Sequence, residues 1–84
     1  LDSARGFLAQ IRLTGVEILG IVARITEILA EYKGVTVKNF TYSMNNGRFE
    51  GRIELLVPNI NFLYGIIKKI QSVKGITRVT RVDS

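Results

Sequence analysis

The dipeptide Asn46-Gly47 constrains this chain more tightly than any other pair of neighbours in it. A two-residue hairpin turn needs positive φ at both central positions, and Asn followed by Gly adopts that pair of conformations at least cost. Pairing outward from the turn sets Met44 opposite Phe49, Tyr42 opposite Gly51 and Phe40 opposite Ile53. These residues lie on one face, so turn chemistry and apolar pattern demand the same register. Tyr42 is placed to cover the bare backbone at Gly51. Upstream the parity changes, with Val35 and Val37 out of phase with Phe40, Tyr42 and Met44. A bulge near Lys38–Asn39 would return all five to the core side.

The rest of the chain reads as two further strands and two helices. Phe7 to Thr14 alternates, with Ala9, Ile11 and Leu13 on one face and Gln10, Arg12 and Thr14 on the other. That is the period of a half-buried strand, and Gly15 is expected to end it. From about Ile18 to Tyr32 the spacing turns helical through Ile21, Val22, Ile25, Ile28 and Leu29, and Gly34 supplies the stop. The strand after the hairpin turn runs to Val57, ahead of the only proline, Pro58. Asn59 is placed to cap a helix reaching Ser72, with Leu63, Ile66, Ile67, Ile70 and Val73 inward. Gly75 stops it, and Ile76 to Val82 is the last strand.

An internal echo ties these elements together. Ile11-Arg12-Leu13 returns as Ile53-Glu54-Leu55, and Ile25 and Ile28 return as Ile67 and Ile70, all after 42 residues. Lys33-Gly34-Val35 returns as Lys74-Gly75-Ile76 after 41. Two β-α-β copies joined by a hairpin predict an α+β fold, a ferredoxin-like βαββαβ sandwich with a four-stranded antiparallel sheet and two helices on one face. At 84 residues the chain is expected to form one domain over 1–84, with an ordered core at about 7–82. Its opening at Leu1 rather than Met is expected of a piece of a longer protein.

Composition excludes most chemistry. The chain has no cysteine and no histidine, which removes thiolate nucleophiles, disulfides, imidazole acid–base catalysis and the common zinc ligands. Gly15 and Gly20 are too far apart for a phosphate loop and no Lys-Ser/Thr follows them. No apolar run reaches the roughly 18 residues of a membrane helix. No catalytic residue, metal, cofactor or membrane partner is therefore expected, and the missing cysteines fit a reducing, cytoplasmic setting.

Three surfaces remain as candidates. Of the net charge of +5, residues 1–54 contribute +1 and residues 55–84 contribute +4. Lys68, Lys69, Lys74, Arg78 and Arg81 are thus candidates for electrostatic contact with RNA. RNA-recognition modules share the βαββαβ order but stack bases on outward aromatics of the sheet. Here the hairpin register turns Phe49 inward and leaves Arg48, Glu50, Arg52 and Glu54 outside, a pattern that suits cross-strand salt bridges. The second surface is the loop Gly15-Val16-Glu17-Ile18-Leu19-Gly20, where apolar and glycine positions surround one carboxylate beside a helix N-terminus. It fits a ligand or subunit contact, or else Ile18 or Leu19 simply staples the helix start. The third surface is a pairing seam. Leu8 and Leu56 fall out of phase with the core at strand ends, and together with Ile18 and Leu19 they are the expected dimer contacts.

Ile11-Arg12-Leu13-Thr14-Gly15-Val16-Glu17, followed by Gly20-Ile21-Val22-Ala23-Arg24-Ile25-Thr26, resembles an ACT domain. With Asn46-Gly47-Arg48-Phe49-Glu50-Gly51-Arg52-Ile53 and Val57-Pro58-Asn59, the chain resembles one subgroup closely: the C-terminal ACT domain of RelA/SpoT-type GTP pyrophosphokinases, the long enzymes that make and degrade (p)ppGpp. The likeness covers residues 7–82. It implies a noncatalytic domain that relays effector or ribosome state to upstream hydrolase and synthetase domains of the parent chain in the stringent response. It also implies pairing into a homodimer and, in family members, contact with ribosomal RNA. Amino-acid effectors of ACT domains lie near the first loop and second strand, which points to Gly15, Val16, Glu17, Gly20 and Ile21, with Asn39 and Thr41. Ile18-Leu19 departs from the polar or basic residues that relatives carry before the glycine, and favours an apolar or protein contact there. A ribosome-docking module and an amino-acid-sensing ACT domain of a biosynthetic enzyme are the alternative readings.

Overall fold

In the computed structural model the predicted order holds, as β1 (Phe7–Val16), α1 (Ile21–Glu31), β2 (Thr36–Asn45), β3 (Arg48–Val57), α2 (Ile60–Gln71) and β4 (Ile76–Val82). The structure describes residues 6–82; Asp2, Arg5 and Asp83, counted in the charge above, lie outside them. The strands form one antiparallel sheet in the order β2-β3-β1-β4. The hairpin register is the predicted one: Met44 pairs with Phe49, Tyr42 with Gly51 and Phe40 with Ile53. Asn46 and Gly47 take φ of 55° and 78°, the positive pair that such a turn requires. The register also slips between Val37 and Asn39, where the change of parity demanded a bulge.

One face of the sheet carries the core. Ile11, Leu13, Ile53, Leu55 and Val57 are fully buried there, under Ile25, Ile28, Leu63, Ile66 and Ile70 of the two helices. The internal repeat has a physical meaning in the central ladder. Ile11 pairs directly with Ile53, and on either side Leu13 faces Gly51 while Ala9 faces Leu55. The same large-against-small match thus occurs twice, related by the offset of 42 residues that links Ala9 to Gly51 and Leu13 to Leu55. Phe49 fills the space at Gly51, its ring tip standing 3.4 Å from where a β-carbon would sit. Tyr42, expected to provide that cover, lies beside the Phe49 ring at 6.1 Å between centroids and remains half exposed.

Asn59 caps α2 as predicted, its Oδ1 accepting the Phe62 N–H at 3.1 Å. The C-terminal end of α2 carries Lys68 and Lys69, which suits the negative end of its dipole. Helix α1 begins at Ile21, one turn later than the apolar spacing suggested, because Gly20 rather than Ile18 occupies its cap.

Two further expectations fail for clear reasons. Gly15 does not end β1; the strand continues to Val16, and Gly15 pairs with Phe49 on one side and Ile76 on the other. The register of β1 and β4 shifts beside it, and a β-carbon at Gly15 would collide with the Gly75 carbonyl. The glycine therefore serves close approach of two backbones, not termination. The second failure is at β2. Val37, Tyr42 and Met44 share the helix-side face but are 43%, 51% and 40% exposed. Their partners in the same rows of β3, Leu55, Gly51 and Phe49, are buried. The helices therefore cover the inner strands along their length and leave β2, at the edge of the sheet, only partly covered.

Gly15 in β1 and Gly47 in the hairpin turn give a contrast that stability measurements can read. Gly15→Ala is expected to cost about 3 kcal/mol by chemical denaturation, since its methyl group meets backbone that cannot swing away. Gly47→Ala, at positive φ but with nothing within 4 Å of its β-carbon position, is expected to cost only about 1 kcal/mol.

Candidate functional site

The first loop leaves β1 at Val16 and reaches α1 at Ile21 under tight backbone control. Val16 N–H donates to the Gly75 carbonyl at 2.7 Å, and Glu17 N–H donates to the Gly47 carbonyl at 2.8 Å. The loop is thus strung between the turn before β4 and the tip of the hairpin. Ile18 turns toward Gly75 and is half-buried, while its carbonyl accepts the Ile21 N–H. Leu19 is fully exposed. Of the two readings left open for this pair, Ile18 anchors the loop end and Leu19 projects outward.

The residues implicated as an effector seat do not form one group. Gly15, Val16, Glu17, Gly20 and Ile21 follow one another along the loop, with Ile21 already buried in the core. Gly20 caps α1 without a side chain, so the first-turn N–H groups have no side-chain partner. Asn39 and Thr41 sit on β2 opposite Glu54 and Arg52, on the sheet face turned away from the helices. Asn39 lies six residues from the hairpin end of β2, about 20 Å along the strand.

The expected dimer contacts divide in the same way. Leu8 and Leu56 are direct cross-strand partners on the open face, at the end of the sheet where β1 begins. Ile18 and Leu19 lie beyond its other end, ten strand residues away. The predicted basic contacts spread over four places. Lys68 and Lys69 are on the last turn of α2, with Lys69 Nζ 3.3 Å from Glu31 Oε1 on α1. Lys74 stands in the turn before β4. Arg78 projects from the open sheet face opposite Thr14, whereas Arg81 lies on the other face with its guanidinium over the Phe7 ring at 5.7 Å.

The charged face that does assemble was not singled out from the sequence. Arg12, Arg48, Arg52 and Arg78 project from the open side of β1, β3 and β4, with Glu50 and Glu54 among them. Among the described residues the only ion pair on this face is Arg48 with Glu50 at 3.9 Å, two residues apart on one strand. The cross-strand salt bridges suggested by the alternating charges do not form. The signal was present as Arg12 and Arg52 at outward strand positions, but their pairing depends on the β1–β3 register. No group of acidic residues gathers where it could hold a metal among the described residues. No helix there is long and apolar enough to cross a membrane.

Comparison with known proteins agrees with this architecture. The family model described as ACT domain matches residues 3–81. No curated protein matches the chain. Among solved structures, the ACT domain from the GTP pyrophosphokinase of Chlorobium tepidum is similar at 25% identity, with 90% of this chain and 97% of that one covered and a TM-score of 0.84. A homoserine dehydrogenase from Thiobacillus denitrificans shares the fold at 20% identity and a TM-score of 0.74, over 96% of this chain and 18% of that one. The C-terminal domain of the MgtC protein from Mycobacterium tuberculosis shares it at 12% identity and a TM-score of 0.74, over 100% and 93%. With its βαββαβ order, its hairpin register and its family match spanning nearly every residue, the chain belongs to the ACT domain family and is a noncatalytic regulatory module.

Proposed function

We propose that this ACT domain regulates a GTP pyrophosphokinase of the RelA/SpoT type, relaying effector state to (p)ppGpp synthesis and hydrolysis by other domains of a longer cytoplasmic chain. The observation that carries this reading is the likeness to the Chlorobium pyrophosphokinase ACT domain over 97% of that domain. The run Asn46-Gly47-Arg48-Phe49-Glu50-Gly51-Arg52-Ile53 supports it, because it joins the turn, the large-against-small match and the outward arginines in one hairpin.

In this reading the domain works as a pair. Strand β2 is a sheet edge, so its outward N–H and C=O groups have no partner strand among the described residues. Beside that edge Val37 and Phe40 line an apolar groove against Thr26, Leu29 and Ala30 of α1, about 400 Å³ in volume. A second copy laid against β2 would continue the ladder and cover Val37, Tyr42 and Met44 together. In this reading the seam runs along β2 rather than through the separated Leu8–Leu56 and Ile18–Leu19 positions. An amino-acid effector would set its carboxylate at the uncapped first turn of α1, close to Gly20.

The full-length chain carrying this domain is expected to transfer pyrophosphate from ATP to GTP, and residues 1–84 alone to show no turnover. Deleting the domain should change the ratio of (p)ppGpp synthesis to hydrolysis. A full-length chain with no such transfer would assign the domain to another enzyme.

Pairing is tested separately by sedimentation of the purified domain. The wild type should self-associate at submillimolar concentration, and Val37→Lys with Met44→Lys should yield a monomer of unchanged melting temperature, because both positions are exposed. Leu56→Lys should leave association intact. A wild type that stays monomeric at millimolar concentration removes the seam.

A further inference from the structure

The structure assigns a second binding surface to the open face of the sheet: we infer that Arg12, Arg52 and Arg78, with the hydroxyls between them, bind a compact anion carrying two adjacent phosphate groups. This surface lies across the sheet from the α1 groove and does not depend on pairing through β2.

Register places the three arginines together. Arg12 sits directly opposite Arg52 on one side and Thr80 on the other. Arg78, two residues before Thr80, is the diagonal neighbour of Arg12. Opposed residues on neighbouring strands have β-carbons about 5 Å apart and diagonal ones about 7–8 Å apart, so three long guanidinium side chains rise from adjacent strands within mutual reach. Like charges placed directly opposite each other destabilise a sheet. Among the described residues no ion pair relieves the Arg12–Arg52 opposition, since none of the three arginines forms one.

Two acids share the face. Glu50 is drawn toward Arg48 at 3.9 Å, and Glu54 stands a row away between Gln10 and Asn39. The face therefore keeps an excess of positive charge centred on Arg12. Two shallow depressions meet there, one of about 700 Å³ extending over β4 and one of about 330 Å³ extending over β2. Both are furnished with hydroxyls. Thr14 and Thr77 stand 3.5 Å apart through their Oγ1 atoms and Thr80 adjoins them, while Thr41 and Ser43 line the smaller hollow together with the Glu50 carboxylate.

The chemistry selects the ligand class. A guanidinium fork matches two oxygens of a phosphate, and several forks a few ångströms apart match neighbouring phosphate groups better than they match one carboxylate. Hydroxyls add neutral donors where further lysines would only add charge. Nucleic acid fits less well. Base stacking needs outward aromatics, and Phe40, Tyr42 and Phe49 all have the opposite parity. A long phosphate backbone would also meet Glu54 and then the Leu8–Leu56 pair within a few rows of Arg12.

Inorganic pyrophosphate is the probe, titrated calorimetrically and by thermal shift into the purified chain at fixed ionic strength. Pyrophosphate should bind at least tenfold more tightly than orthophosphate and raise the melting temperature, with sodium sulfate giving no comparable shift. Arg12→Gln and Arg52→Gln should each weaken pyrophosphate at least tenfold, whereas Lys68→Gln combined with Lys69→Gln should leave it within twofold. Without ligand, Arg12→Gln should melt at or above the wild-type temperature, which separates a binding role from a structural one. Equal shifts from sulfate, or equal loss in the lysine variant, would overturn the inference as unspecific counterion uptake. A short RNA duplex that binds more tightly than pyrophosphate, with the same sensitivity to Arg12→Gln, would overturn it in favour of nucleic acid.

Discussion

The ladder between β1 and β3 is the constraint on which the rest of this molecule depends. Its centre is the Ile11–Ile53 pair, flanked by Leu13 over Gly51 and Leu55 over Ala9. Volume is conserved along it: each leucine is accommodated because its partner is small. A slip of one residue would turn all of these apolar side chains toward water, so register and core form together. Both helices then pack on the surface that this ladder presents, through Ile25, Ile28, Leu63, Ile66 and Ile70.

The same ladder arranges the charged part of the opposite face with no apolar driving force. Side chains alternate along a strand, so the register that matches Ile11 to Ile53 also sets Arg12 against Arg52. Two like charges brought together in this way are a by-product of core packing unless a ligand uses them. Arg48 and Glu50 show the modest alternative, a pair along one strand at 3.9 Å with both side chains largely exposed, a geometry worth at most about 1 kcal/mol.

Backbone congestion controls the first loop. Gly15 and Gly75 let β1 and the turn before β4 approach so closely that a side chain on either would strike its neighbour. The loop after Val16 is consequently tied at two points, to Gly75 and to Gly47. It enters α1 in a conformation set by the sheet, and the helix start moves to Ile21. Gly34, the counterpart of Gly75 in the repeat, has only the Pro58 ring near its β-carbon position. The repeat is thus strict in the sheet core and loose at its turns.

Local chemistry alone determined much of this protein. The Asn46-Gly47 turn, the bulge near Asn39, the cap at Asn59 and the inward face of each element were legible because each rests on the φ preferences or side-chain period of a few neighbouring residues. The chain order and its internal offset led from these to the fold, and the ACT resemblance was carried by contiguous runs. What the sequence left undecided concerns residues far apart in the chain. That Gly15 lies within β1 was hidden, because the backbone that approaches it closely is at Gly75, 60 residues on. The exposure of Val37, Tyr42 and Met44 follows from the place of β2 at the edge of the sheet, which periodicity does not report. The basic residues gathered by sequence position proved scattered, while Arg12, Arg52 and Arg78 came together from three strands. Periodicity assigns a side chain to a face, but only the pairing of strands decides which side chains on that face become neighbours.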